Sequence, residues 1–213
     1  MSKIKILSVF GTRPEAIKMA PVVKALAAAT EFEPKVVVTA QHREMLDQVL
    51  ALFSIEPDYD LNIMAAAQSL TQITNRVLTG LDRVLAVEEP ELVLVHGDTT
   101  TSFAAALAAF YRQVAVGHVE AGLRTRTKYF PYPEEINRCL TSVVADIHFA
   151  PTAMAEENLI SDGVAPERIL VTGNTAIDAL FLTVDEDYKF NHPLLAAWDW
   201  GRYRTVVVEA HRR

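Results

Sequence analysis

The residues best suited to chemistry in this sequence stand just after strand-like runs. Gly11, Thr12 and Arg13 follow the first such run, His96, Gly97, Asp98 and Thr99 another, and Glu120, Gly122, Arg124 and Thr125 a third. Open parallel sheets bind ligands beyond the carboxyl ends of their strands. One edge of such a sheet would therefore gather two carboxylates, Asp98 and Glu120, and two guanidinium groups, Arg13 and Arg124. Carboxylates so placed move protons, and guanidinium groups hold anions.

Each feature also has a plain structural reading. Gly11 permits a tight turn. Asp98 can cap the helix that follows it. Glu120 and Arg124 can form a loop ion pair, worth little at a surface. Pro133-Glu134-Glu135 is a good helix start, since Pro suits the first turn and acids favour the N-terminal end. Arg138, four residues after Glu134, can be an i,i+4 partner on that helix. Cys139, the one cysteine, reads as core. Singly, the structural readings hold their own; several strand-end carboxylates on one edge are harder to dismiss.

The elements that must position these residues are legible from periodicity. Residues 4–10, 35–39, 92–95, 114–119, 146–149 and 169–171 read as strands. The run at 92–95 is wholly apolar, as in a parallel strand covered on both faces. Helical patterns follow Pro14 and cover 45–53, 70–87 and 103–111, and another helix starts near Glu134 after a polar loop at 120–133. Strands alternating with helices predict a Rossmann-like parallel sheet with helices on both faces. Residues 1–182 read as that domain and 183–204, with acidic residues, Pro193 and two Trp, as a connection. Residues 205–213 open with Thr205-Val206-Val207-Val208, read as the first strand of a second domain that is truncated.

Composition narrows the class. The 213 residues are 50% hydrophobic and 22% charged, the balance of an ordinary globular protein. A formal charge of −7 argues against a duplex nucleic-acid binder and leaves room for a small anion held by local cations. The longest uncharged stretch, 61–75, contains Asn62, Gln68, Gln72 and Asn75 and is no membrane span. Met1-Ser2-Lys3-Ile4 leads directly into a strand-like run, with no secretory signal. A lone cysteine excludes an intrachain disulfide, and the expectation is a cytoplasmic protein. The scattered histidines give no metal site. Gly-x-Gly-x-x-Gly, Gly-x-x-x-x-Gly-Lys-Ser/Thr and Gly-x-Ser-x-Gly are all absent, which argues against NAD binding, a nucleoside triphosphatase and an α/β-hydrolase.

A family resemblance covers the whole chain. Phe10-Gly11-Thr12-Arg13-Pro14-Glu15-Ala16-Ile17-Lys18-Met19-Ala20-Pro21 resembles the opening signature of the bacterial non-hydrolysing UDP-N-acetylglucosamine 2-epimerases. Thr39-Ala40-Gln41-His42-Arg43, His96-Gly97-Asp98-Thr99-Thr100-Thr101 and Gly117-His118-Val119-Glu120-Ala121-Gly122-Leu123-Arg124-Thr125 match later signatures in family order. Pro133-Glu134-Glu135 with Asn137-Arg138, Gly173-Asn174-Thr175 and Ala210-His211-Arg212-Arg213 complete them.

The resemblance implies one half of a two-domain fold of the glycosyltransferase B type, with the active site in the cleft between domains. It implies conversion of UDP-N-acetylglucosamine to UDP-N-acetylmannosamine by elimination and re-addition of UDP through a 2-acetamidoglucal, without a cofactor. Asp98, Glu120 and Glu134 match the catalytic carboxylates, and Arg138 a residue needed for activity by orienting Glu134. His211 matches a further catalytic position. Arg13, Lys18, Asp98, Glu120 and His211 match substrate contacts, with Arg13 and His211 on the diphosphate. Gln41 and Glu134 match a regulatory site for the substrate, where Glu44 and Ala67 depart from the pattern. Glu209 stands where Thr is common and adds negative charge beside the diphosphate; Phe130 replaces a common Ser. A homodimer is the implied assembly. The alternatives are a hydrolysing epimerase that releases N-acetylmannosamine and UDP, and a non-catalytic fragment.

Overall fold

The computed structural model describes residues 3–40, 43–65 and 67–209. These divide into two units, one up to Thr183 and one from Val184.

The first unit holds a parallel seven-stranded sheet in the order β3-β2-β1-β4-β5-β6-β7. The strands are β1 (Ile4–Phe10), β2 (Phe32–Val38), β3 (Tyr59–Asp60), β4 (Leu92–His96), β5 (Ala115–Val119), β6 (Ile147–Ala150) and β7 (Ile169–Val171). Between them run α1 (Arg13–Ala28), α2 (Arg43–Leu52), α3 (Leu70–Glu88), α4 (Thr100–Tyr111), α5 (Glu134–Val144) and α6 (Ala153–Ser161), with α7 (Thr175–Thr183) after β7. A short 3₁₀ turn, Pro166–Arg168, precedes β7.

The central strands β1, β4 and β5 are largely apolar because both faces are covered. Side chains alternate between faces along a strand. Leu7, Val9, Val93, Val95 and Val116 pack with Val77, Leu81 and Leu85 of α3 and the alanines of α4. Ile6, Phe10, Val36, Val38 and Leu94 pack on the other face with Met19 and Val23 of α1, Leu46 and Leu50 of α2, and Ala179 of α7. Burying one such large aliphatic side chain contributes about 2 kcal/mol. Helix α4 buries Ala104, Ala105, Ala106, Ala108 and Ala109, small residues that let it lie close to the sheet.

Strand order reverses between β1 and β4, which pair directly. That is where open α/β sheets form a ligand crevice. The turns after β1, β4 and β5 all leave this edge.

The second unit contains the short helix α8 (Pro193–Ala196) and an aromatic group in which Phe190 stacks on Trp200 at 5.0 Å. Its described residues are all exposed. The run 205–208, expected as a strand, has no regular structure, and Val206, Val207 and Val208 are exposed. A strand exists only through a neighbour's hydrogen bonds, and none pairs with it among the described residues. No described helix is long and apolar enough to cross a membrane.

Candidate active site

Each turn at the switch point is shaped by a local constraint. Gly11 is buried where a Cβ would stand 1.9 Å from Thr39 Oγ1, so the β1–α1 turn admits no side chain without moving its neighbours. Arg13 follows at the exposed start of α1. After β4, Gly97 takes a left-handed backbone (φ +67°), and Thr99 caps α4 by accepting the Ser102 N–H at 3.0 Å. After β5, Glu120 also has φ +61°. A left-handed glutamate is uncommon, and backbone strain of this kind clusters at functional sites.

The Glu120 carboxylate meets the ammonium group of Lys18, reaching from α1. Asp98 meets the guanidinium of Arg138, reaching from α5. Asn137, beside Arg138, donates from Nδ2 to the Asp98 carbonyl at 3.0 Å. His96, at the end of β4, has its Nε2 3.7 Å from Glu120 Oε2 and without a hydrogen-bond partner among the described residues. Burial, reinforced by the Lys18 and Arg138 charges, pushes the His96 pKa down to about 3, so its ring is neutral at pH 7. His118 is fully buried and neutral as well, its pKa pushed down by burial to about 3, and its Nε2 is 2.7 Å from the Gly97 carbonyl. In the tautomer that donates there, it fixes the turn holding Asp98.

Glu134 begins α5, with Oε2 buried and without a hydrogen-bond partner among the described residues. Glu135 accepts the backbone N–H groups of Thr125 at 3.0 Å and Arg126 at 2.9 Å. Burial opposes its charge, but these bonds prevail and hold its pKa below the usual range. It thereby anchors the loop after Glu120 to α5.

Several expectations change. Arg138 orients Asp98, whereas it was expected to orient Glu134. Glu120 and Arg124 do not pair: Arg124 is almost wholly buried and binds Asp162 at 2.8 Å, the Leu123 carbonyl and Ser142. It braces the loop and offers no free guanidinium to a ligand. Cys139 is half-buried rather than core, lining a cavity of about 640 Å³ with Arg124 and His148; burial raises its thiol pKa. Gln41 and His211 lie outside the described residues. Asn137, Glu135 and Glu15 stand within the quoted signatures but were given no role at the site; for Glu15 a signal existed, the Thr12-x-x-Glu15 capping pattern. Among the described residues, no three His, Cys, Asp or Glu side chains gather as a metal site.

Two carboxylates, each against a cation, thus stand at the turns after β4 and β5, with a neutral imidazole beside Glu120. The sequence profile of the family described as UDP-N-acetylglucosamine 2-epimerase matches residues 24–213. The chain belongs to that family.

The Escherichia coli (strain K12) UDP-N-acetylglucosamine 2-epimerase is 62% identical over 215 residues, which cover 99% of this chain and 57% of the relative. A crystal structure of a Listeria monocytogenes protein described as a UDP-N-acetylglucosamine 2-epimerase superposes with a TM-score of 0.87 at 64% identity, over 91% of this chain and 51% of that one. The Neisseria meningitidis UDP-GlcNAc 2-epimerase, solved bound to UDP-GlcNAc, gives 0.82 at 58% identity, over 84% of this chain and 48% of that one. This epimerase-family chain therefore spans about half the length of the relatives it matches.

Proposed function

We propose that the protein carrying this chain interconverts UDP-N-acetylglucosamine and UDP-N-acetylmannosamine. The observation that carries the reading is the gathering of the Asp98–Arg138 and Glu120–Lys18 pairs at the turns after β4 and β5, with His96 beside Glu120. In the forward direction a carboxylate takes the proton from C2, the C1–O bond breaks, and UDP leaves with the bonding electrons. UDP then re-forms the C1–O bond with the bound 2-acetamidoglucal while a proton reaches C2 from the other face. Asp98, Glu120 and Glu134 are the proposed acid/base groups. Arg13 and His211 are the proposed diphosphate contacts, opposing the charge that develops on the leaving group, and Lys18 is a further proposed substrate contact. Residues 205–213 are proposed to open the second domain, and Gln41 with Glu134 to border a regulatory substrate site. A homodimer is the proposed assembly; exposed Phe110, Tyr111 and Val143 on neighbouring α4 and α5 give a second copy apolar surface to cover.

The test is proton NMR of UDP-N-acetylglucosamine in D₂O with the protein encoded by the full reading frame. Deuterium is expected at C2 of both sugars, and Asp98→Asn and Glu120→Gln are each expected to abolish it with the fold intact. Near-normal exchange in either variant removes the role given to that residue. Free N-acetylmannosamine as the main product overturns the proposed reaction. The 213-residue chain alone is expected to show little turnover.

A further inference from the structure

Glu15 is among none of the residues given a role in the proposed reaction. It sits in the first turn of α1 and is 2% exposed. An acid at this position commonly reaches back to the start of its helix, and Oε2 does accept the Thr12 N–H at 2.7 Å. Further bonds exceed that role. The same oxygen accepts the Gly11 N–H at 3.0 Å. Across the switch point, the Thr99 hydroxyl donates to Oε1 at 2.6 Å. The Ser102 hydroxyl shares its proton between Oε1, 2.9 Å away, and the His96 carbonyl. One buried carboxylate therefore joins the turn that carries Arg13 to the turn that carries Asp98.

In many α/β proteins the N–H groups of the first βα turn hold a ligand's phosphate. Here the Gly11 and Thr12 N–H groups hold the chain's own carboxylate, and a phosphate at that spot would meet fixed negative charge at contact distance. We propose that Glu15 is a positioning residue, an internal anion that fills the phosphate seat of the first βα turn, sets Arg13 against Asp98, and leaves the ligand's diphosphate to side-chain cations. The proposal rests on the nucleotide-sugar reading of the site. It also supplies a physical reason for the missing Gly-x-Gly-x-x-Gly: a turn whose backbone N–H groups hold no phosphate needs no such glycines.

The protein encoded by the full reading frame and its Glu15→Ala and Glu15→Gln variants are compared in two measurements. In thermal melts, sodium formate is set against sodium chloride at equal ionic strength. Formate is expected to raise the Tm of Glu15→Ala, and not of the parent, by entering the vacated seat. In UDP titrations of ¹⁵N-labelled protein, both variants are expected to bind about tenfold more weakly, as loss of a charge-assisted contact predicts. Formate is expected to restore the affinity of Glu15→Ala. A Glu15→Ala melt indifferent to formate overturns the seat. Unchanged UDP affinity in Glu15→Gln overturns the positioning role, even if formate restores stability. Should Glu15→Ala fail to fold, the isosteric Glu15→Gln decides: displaced Gly11 and Thr12 amide resonances support the seat and undisturbed ones overturn it. A parent that binds no UDP counts against the nucleotide-sugar reading alone, because the formate comparison involves no nucleotide.

Discussion

The Arg138 guanidinium closes on the Asp98 carboxylate, joining the second turn of α5 to the end of β4, 40 residues earlier in the chain. Arg138 also donates to the Leu123 carbonyl at 3.3 Å, so it touches the loop after Glu120 as well. One side chain thus holds two of the three site-forming turns.

Arg138→Lys keeps the charge and loses the planar fork that spans both partners. In the protein carrying this chain, turnover is expected to fall at least ~100-fold, the scale of a 1 Å misplacement of a reacting group. The Arg138 and Asp98 side chains are 9% and 26% exposed. With Asp98 partly solvated, the expected loss of stability on removing the arginine is about 1–3 kcal/mol, below that for a fully buried pair. Turnover within twofold of the parent in steady-state assays would exclude Arg138 from the site.

Two left-handed glycines should respond differently to alanine. At Gly122 (φ +85°) a Cβ would stand 2.1 Å from the Ala155 carbonyl oxygen, which is backbone and cannot swing away. At Gly163 (φ +90°) nothing lies within 4 Å. Urea unfolding is expected to show a loss of about 1 kcal/mol for Gly163→Ala, the cost of the backbone alone. Gly122→Ala is expected to lose at least about 3 kcal/mol. Equal losses would contradict the described packing of the β5–α5 loop against α6.

The fold should be acid-sensitive through histidines. Burial lowers the pKa of His96 and His118 to about 3 and of His148 to about 4, from an ordinary 6.5. Between those values the unfolded chain binds protons that the folded chain refuses. Stability is therefore full above pH 6.5 and falls progressively as pH drops toward 4, by up to about 1.4 kcal/mol per pH unit for each histidine. Melting temperatures at pH 7.5, 6 and 5 check the direction. His148→Gln is expected to flatten the slope, and an unchanged slope would mean that His148 is protonated in the folded protein.

What the sequence revealed followed the range of the forces involved. Strands β1, β4 and β5 were readable because burial on both faces leaves an apolar run. Strand β3 is two residues long and leaves no pattern, and α6 buries only Ala155 and Leu159, on either side of Glu156, Glu157 and Asn158. Asp98 and Glu120 were readable as strand-end carboxylates, because topology alone brings such positions to one edge. Their partners were not. Arg138 was read against Glu134, its helical neighbour, and Arg124 against Glu120, its loop neighbour. Each is instead taken by an acid about 40 residues away, Asp98 or Asp162. Spacing along one element cannot reveal contacts made across the sheet.

Glu120 holds a backbone shape that a glycine would adopt with ease. A protein selected for durability alone would place glycine there and gain conformational comfort at the end of β5. Under the proposed reaction an acid at position 120 trades resilience for reactivity, so stabilising redesign should look elsewhere in the molecule first.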